Sequence, residues 1–92
     1  MRVAQAIERK LTEALAPARL DIVDESHLHA GHAGARPEGE SHFRVTVVSD
    51  VFRGKNRVQR QRLVYRALAE ELESDIHALA LLTQTPEEAA AI

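Results

Sequence analysis

The sequence predicts an α+β fold: one small domain in which a three-stranded mixed sheet carries helices on one face. The 92-residue length suits one hydrophobic core and leaves no room for a second, so residues 1–92 are expected to form a single domain. Apolar residues recur with a helical period in some segments and alternate in others. The segments follow one another in the order α-β-β-α-β-α, and this order predicts the fold class.

The first element is predicted to be an amphipathic helix over residues 2–15. Its apolar side chains recur every fourth residue while charged side chains occupy the other face, and this stripe consists of Val3, Ile7, Leu11 and Leu15. Pro17 is expected to end the helix, because a proline disfavours helical geometry in the residue before it.

Two strands follow, with a long loop between them. Residues 20–25 alternate in part, whereas residues 42–49 (HFRVTVVS) alternate clearly and contain the β-branched residues that suit a pleated sheet. Residues 26–41 contain three glycines and a proline, and loops of about twelve residues or more without structure tend to be functional or disordered. This loop carries three of the five histidines, namely His27, His29 and His32.

The chain then turns at Gly54 and enters a second helix. Asn56 is a candidate N-cap, and apolar residues with a helical period extend to about residue 72. Acidic residues crowd the far end of this helix, where negative charge opposes the helix dipole; they are Glu70, Glu71, Glu73 and Asp75.

Residues 76–83 (IHALALLT) predict a third strand that is apolar on both faces, which is typical of a central strand. A helical crossover is expected to return this strand parallel to the second one, whereas the first two strands form an antiparallel hairpin. Thr85, Pro86 and Glu88 form a capping-box start for a short last helix.

The composition excludes several classes of site. The chain has no cysteine, so disulfides, thiolate nucleophiles and zinc–thiolate sites are excluded. No apolar stretch approaches the ~20 residues of a membrane span, and no signal peptide is recognisable, so we expect a cytoplasmic protein with no membrane partner. Nothing resembles HExxH or a GxSxG elbow, and we expect no enzyme. Only three aromatic residues are available for base stacking.

A basic cluster is the main local charge feature of a chain whose net charge is −2. Half of the twelve Lys and Arg residues lie between residues 51 and 69, where no acid occurs; they are Arg53, Lys55, Arg57, Arg60, Arg62 and Arg66. Three interpretations remain open at this point: a solvated helix face, a docking surface for a protein, and a phosphate contact for nucleic acid. The negative net charge argues against strong non-specific binding of nucleic acid.

Four separated stretches resemble the BolA family. They are VDESHLHAGH, ESHFRVTVVSDVFRGK, RLVYRALAEEL and IHALALLTQTPEE. The resemblance implies a fold similar to a class II KH domain, in agreement with the predicted order of elements. Four departures are visible: RQR replaces the family's RHR triplet, Ala89 replaces an aromatic residue, the loop holds extra histidines, and FRGK has one glycine where nucleic-acid-binding KH domains have GxxG.

The resemblance also implies a partner and a cofactor. BolA-like proteins form heterodimers with monothiol glutaredoxins, either without cofactor or bridged by a [2Fe-2S] cluster that a glutaredoxin cysteine and glutathione also ligate. By this resemblance the metal ligands here are His29 in the loop and His77 at the start of the third strand, with His32 as the alternate loop ligand. The chain alone would hold no cofactor, and His42 is assigned a structural role.

The basic cluster then has two uses implied by the resemblance. As a docking rim it would position the glutaredoxin beside the two histidines. As the alternative, the family resembles DNA-binding transcriptional regulators in which the glycine turn and the following basic helix contact DNA. The residues assigned to either use are Arg53, Gly54, Lys55, Arg57, Arg60 and Arg62. Whether the chain alone forms a homodimer stays open.

Overall fold

The computed structural model describes residues 2–26 and 41–91, and it contains the predicted elements in the predicted order. A short 3-10 helix (Asp50–Phe52) forms the turn after the second strand. The regular elements, in chain order, are α1 (Arg2–Leu15), β1 (Arg19–Asp24), β2 (His42–Val48), α2 (Arg57–Ala67), α3 (Ala69–Ser74), β3 (Ala78–Gln84) and α4 (Pro86–Ala90). The α+β fold class with a three-stranded mixed sheet is therefore confirmed; the likeness to a class II KH domain stays a prediction.

The sheet has the strand order β1-β2-β3. Strands β1 and β2 pair antiparallel, with Arg19 opposite Val48, and β2 and β3 pair parallel, with His42 opposite Ala78. The predicted hairpin and the predicted parallel crossover are both confirmed. The prediction that the third strand is central was wrong, because β1 already occupies one side of β2 and the crossover leaves β3 at the outer edge.

The apolar character of both faces of β3 has a different cause from the one expected. Leu79 and Leu81 pack against the core, whereas Ala78, Ala80 and Leu82 are exposed on the opposite face of the sheet. The side chain of Leu82 is 51% exposed. The second face of β3 is thus part of an open sheet surface.

The core lies between the sheet and the helices. The predicted stripe of α1 is buried throughout. It joins one cluster with the inward side chains of β2 and of the following segments, which are Phe43, Val45, Val47, Phe52, Val64, Leu68 and Ile76. Each such side chain contributes roughly 1.5–3 kcal/mol on burial, so this layer holds the helices on the sheet.

The helix predicted after Gly54 is divided at Leu68, whose φ of −106° and ψ of 19° interrupt the regular geometry. The division places Glu70 and Glu71 in the first turn of α3. Negative charge is favourable at that end of a helix. The expectation that these two acids oppose a helix dipole was therefore wrong.

Candidate functional site

His77 directly precedes β3 and lies exposed at the amino-terminal end of the two parallel strands. Its backbone N–H donates to the carbonyl of Ser41 at 2.7 Å, and the N–H of Ala78 donates to the same oxygen at 3.2 Å. These bonds hold the entry of β3 against the start of β2. The imidazole of His77 therefore stands in solvent on a backbone whose position is well defined.

His42 lies beside His77 and is buried, with 6% of its surface exposed. The ring centroids of the two histidines are 5.3 Å apart and the ring planes are inclined at 52°. The Nδ1 atom of His42 is 2.8 Å from Oγ of Ser41, and its backbone N–H donates to Oγ of Ser26 at 3.1 Å. This burial agrees with the structural role predicted for His42.

Sequence reasoning missed that His42 and His77 are neighbours. The signal that could have found the pair is the parallel register, because one histidine begins β2 and the other precedes β3. The starts of adjacent parallel strands lie at the same end of a sheet.

The loop histidines His27, His29 and His32 lie outside the described residues, so their roles stay predictions. Within residues 2–26 and 41–91, no group of three or more His, Asp or Glu side chains could hold a metal ion. This part of the chain offers the exposed imidazole of His77 as a nitrogen ligand. Since the chain has no cysteine, an iron–sulfur cluster at this point needs thiolates from another molecule.

The basic turn lies at the other end of the sheet. Nη1 of Arg60 is 3.3 Å from the carbonyl oxygen of Thr83, which is near the carboxyl end of β3. A strand of seven residues spans about 20 Å from first to last Cα. The Gly54 turn therefore does not border His77, contrary to the expectation from sequence, because the turn follows the end of β2 whereas the histidines mark the strand starts.

Gly54 gives the turn its shape. Its φ is 73°, in the left-handed region that residues with a side chain rarely adopt. A Cβ atom added there would meet nothing within 4 Å, so the requirement for glycine is conformational. Asn56 then caps α2 as predicted, accepting from the N–H of Gln59 at 2.9 Å while the Gln59 side chain accepts from the N–H of Asn56.

Arg60 is held by an acid of α4. Its Nη1 and Nη2 atoms donate to the two carboxylate oxygens of Glu88 at 2.6 and 3.1 Å, and its Nε donates to the carbonyl of Lys55 at 2.9 Å. The hydrogen bond from Arg60 lowers the pKa of Glu88 to about 2, and the backbone N–H of Thr85 adds to this effect. The charge of Arg60 is thereby offset within the domain.

Arg53 is held in the same way. Its guanidinium is 2.7 Å from Oδ1 of Asp50 and also pairs with Glu87. The hydrogen bond from Arg53 lowers the pKa of Glu87. Sequence reasoning missed both contacts, because Glu87 and Glu88 were interpreted only as the first turn of the last helix.

The other four cations of the cluster make no ion pair within the described parts of the chain: Lys55, Arg57, Arg62 and Arg66. Lys55 and Arg57 line a groove of about 550 Å³ between the start of α2 and the carboxyl half of β3, and Leu81, Leu82 and Thr83 form its opposite wall. Across the described ranges, no helix has the length and apolar character that a membrane span requires.

Residues 11–88 match the protein family described as BolA-like protein. The chain is 47% identical over 88 residues to the DNA-binding transcriptional regulator BolA of Escherichia coli (strain K12). The aligned residues cover 96% of this chain and 80% of that protein. It is 47% identical over 87 residues to the chloroplastic protein BOLA1 of Arabidopsis thaliana. The aligned residues cover 92% of this chain and 54% of that protein.

The chain spans only part of some relatives. It covers 23% of the chloroplastic/mitochondrial SufE-like protein 1 of Arabidopsis thaliana, to which it is 45% identical over 86 residues, or 89% of its own length. Among solved structures, the BolA domain of SufE1 from Arabidopsis thaliana superposes with a TM-score of 0.82 at 44% identity, over 95% of this chain and 94% of that chain. The likeness in fold thus extends over nearly all of the chain.

Proposed function

Because this chain belongs to the BolA family, we propose that it is a non-catalytic accessory or regulatory protein of iron–sulfur metabolism that forms a heterodimer with a monothiol glutaredoxin and co-ligates a [2Fe-2S] cluster. The observation that carries the proposal is the exposed imidazole of His77, held at a strand start in a chain without cysteine. Imidazole replaces thiolate on one iron in some [2Fe-2S] centres, so such a chain can share a cluster but cannot supply its usual ligands alone.

In this proposal His77 and His29 are the ligands from this chain, and His32 is the alternate loop ligand. When bound, the cluster would supply one-electron redox chemistry at the interface. The chain's own contribution is to present His77 to the partner, with the buried ring of His42 packed beside it and its backbone tied to Ser41. The glutaredoxin and glutathione would supply the thiolates.

Cluster reconstitution tests this function. The purified chain and a monothiol glutaredoxin are mixed with iron, sulfide and glutathione without oxygen, and the product is examined by size exclusion and visible circular dichroism. We expect a heterodimer whose spectrum differs from that of the glutaredoxin homodimer. His77→Ala and His29→Ala should each change this spectrum, whereas His27→Ala serves as the matched loop control. If neither ligand variant changes the spectrum, the ligand assignment is wrong.

A second candidate function, DNA binding, is favoured by the relative from Escherichia coli, which is named a DNA-binding transcriptional regulator. The cations to contact phosphate would be Lys55, Arg57 and Arg62, since Arg53 and Arg60 are already paired with acids. Affinity for DNA should fall steeply with salt and be lost in Arg57→Ala and Arg62→Ala. An absence of any mobility shift at ~50 mM salt would contradict this function.

A further inference from the structure

The outer edge of β3 carries backbone groups that the sheet does not use. The N–H and C=O of one strand residue point to the same side, and those of its neighbours point to the other side. The carbonyl of Gln84 accepts from the N–H of Ser49 at 2.9 Å, on the side of β2, whereas the carbonyl of Thr83 accepts from Arg60, outside the sheet. The backbone groups of Thr83, and of Leu81 and Leu79 before it, therefore point to the outer edge.

These groups are available for pairing. In the described part of the chain, the N–H groups of Leu79, Leu81 and Thr83 and the carbonyls of Leu79 and Leu81 make no hydrogen bond. Proteins usually protect an exposed edge with a charge, a proline or a bulge. The sequence of β3, ALALLTQ, contains neither a charge nor a proline. The edge is therefore a template on which an extended segment can add a strand.

A groove runs beside this edge. It has a volume of about 550 Å³ and separates β3 from the start of α2. Leu81 and Leu82 form its apolar wall. Because the side chains of a strand alternate, those on one side of an added strand would enter the groove while its backbone paired with β3.

The charge of the groove selects the kind of segment. Lys55 and Arg57 line it without an acidic partner in the described ranges, whereas the third cation, Arg60, is offset by Glu88. An acidic side chain on the added strand would pair with Lys55 or Arg57 near the carboxyl end of β3.

We propose that the edge of β3 and this groove form a docking site for an extended acidic segment of a partner protein, which adds a fourth strand to the sheet. A second copy of the chain is a poorer occupant, since its β3 has no acidic residue to offer. In its other edge strand, β1, Asp21 already pairs with Arg19 and Asp24 accepts from the N–H of Ser26. Nucleic acid could neutralise Lys55 and Arg57 but could not form a strand ladder with the five backbone groups that make no hydrogen bond within residues 2–26 and 41–91. The groove lies at the end of the sheet opposite His77, whereas the edge runs along β3 and begins at Leu79, two residues after His77. The proposal does not depend on the iron–sulfur function.

The test uses the full chain, labelled with nitrogen-15, and an acetylated peptide of eight residues in which glutamate and valine alternate. The peptide carries a fluorophore, and its fluorescence anisotropy measures its affinity for the chain. Amide hydrogen exchange of the chain shows where the peptide binds. We expect saturable binding and slower exchange of the amides of Leu79, Leu81 and Thr83. A peptide with lysine in place of glutamate should bind at least about tenfold more weakly.

Two variants separate the backbone contribution from the charge. Thr83→Pro removes one outward N–H and fills the edge with the ring, yet it keeps every bond between β3 and β2, and should abolish binding. Arg57→Glu should weaken binding about tenfold or more. Arg66→Glu makes the same change in charge on the side of α2 away from the buried Val64 and outside the groove, and is the control that should bind as the wild type does.

Several outcomes would overturn the proposal. It is overturned if the wild type binds no peptide, or if Thr83→Pro and Arg57→Glu both bind the peptide as the wild type does. It is also overturned if the exchange of the edge amides slows only when the concentration of the chain itself rises. The same holds if a DNA oligonucleotide slows this exchange and the peptide does not. If Thr83→Pro fails to fold, the proposal is tested by the hydrogen exchange of the wild-type amides of Leu79, Leu81 and Thr83 with and without peptide. Unchanged exchange would overturn it.

Discussion

At the scale of single residues, Glu88 combines a local contact with a distant one. Its carboxylate accepts from the backbone N–H of Thr85 at 2.9 Å, which closes the capping box of α4, and it also accepts hydrogen bonds from both Nη groups of Arg60. The first contact spans three residues and was predictable from the TPEE motif. The second joins α4 to α2 and depends on how the chain folds.

The lowered pKa of Glu88 predicts a specific pH dependence of stability. A carboxyl whose folded pKa is about 2, against an ordinary 4.5, stabilises the fold above about pH 4.5, and this contribution is lost as the pH falls towards 2. The difference in Tm between wild type and Glu88→Gln, followed by circular dichroism, should therefore be largest near neutral pH and vanish near pH 2.

Glu13→Gln is the control for this experiment, because Glu13 is exposed on α1 and makes no ion pair within the described residues. The difference in Tm between wild type and Glu13→Gln should stay small from pH 7 to pH 2. A difference for Glu88→Gln that is constant from pH 7 to pH 2 would contradict the assigned role of Arg60.

At the scale of an element, α1 ends by a turn that the sequence did not indicate. Ala16 follows the helix with a φ of 44°, and its N–H donates to the carbonyl of Thr12 at 3.1 Å. The carbonyl of Leu15 accepts from Oγ of Ser49 at 2.6 Å, which ties the helix end to the segment after β2. Pro17 was predicted to end the helix, but the left-handed residue before it is what reverses the chain.

This geometry predicts that an alanine-to-glycine substitution has opposite effects just after α1 and in the interior of α1. Ala16→Gly should raise the free energy of unfolding by about 0.5–1 kcal/mol, because glycine adopts the left-handed region without the clash of a Cβ atom. Ala6→Gly, in the interior of α1, should lower it by about 1 kcal/mol. Urea unfolding measures both values, and a loss of stability in both variants would refute the interpretation of the helix end.

At the scale of the whole molecule, an ion pair joins the first helix to the third. Nζ of Lys10 is 2.7 Å from Oε2 of Glu71, whose residue is only 8% exposed. The other carboxylate oxygen of Glu71 is buried and has no hydrogen-bond partner in the described part of the chain. The hydrogen bond with Glu71 raises the pKa of Lys10. Glu71 thus relies on Lys10 to compensate its burial.

We therefore predict that Lys10→Met lowers the Tm by roughly 5 °C or more, because it leaves a buried carboxylate without a partner. The double variant Lys10→Met/Glu71→Met should recover most of this loss, since two apolar side chains can replace an ion pair of this kind at little cost. Thermal unfolding followed by circular dichroism gives the Tm of the wild type, of Lys10→Met and of the double variant.

Arg2→Met provides the matched control for this cycle. It removes a cation of α1 whose side chain is largely solvent-exposed and pairs with Asp75, so its effect on Tm should be small. A double variant that is no more stable than Lys10→Met alone would show that the lysine stabilises the fold by packing and not by its charge.

Much of the fold was predictable because it depends on short-range patterns. Helical spacing indicated the buried face of α1, and side-chain contacts within three residues indicated the caps at Asn56 and Thr85. Alternation indicated the strands, and the helix between the second and third strands indicated the parallel crossover. For the candidate site, the position of His77 next to a strand start was evident from the same alternation.

The contacts between distant segments could not be predicted from the sequence. Periodicity does not tell a central strand from an edge strand, so the outer position of β3 among the described strands required the observed strand order. The separation of the Gly54 turn from His77 follows from the parallel register. The pairing of Arg53 and Arg60 with acids of α4 joins residues far apart in the chain. Sequence alone determined the elements and their order, whereas packing around the crossover determined which charges are neutralised and which edge stays open, because both depend on long-range contacts.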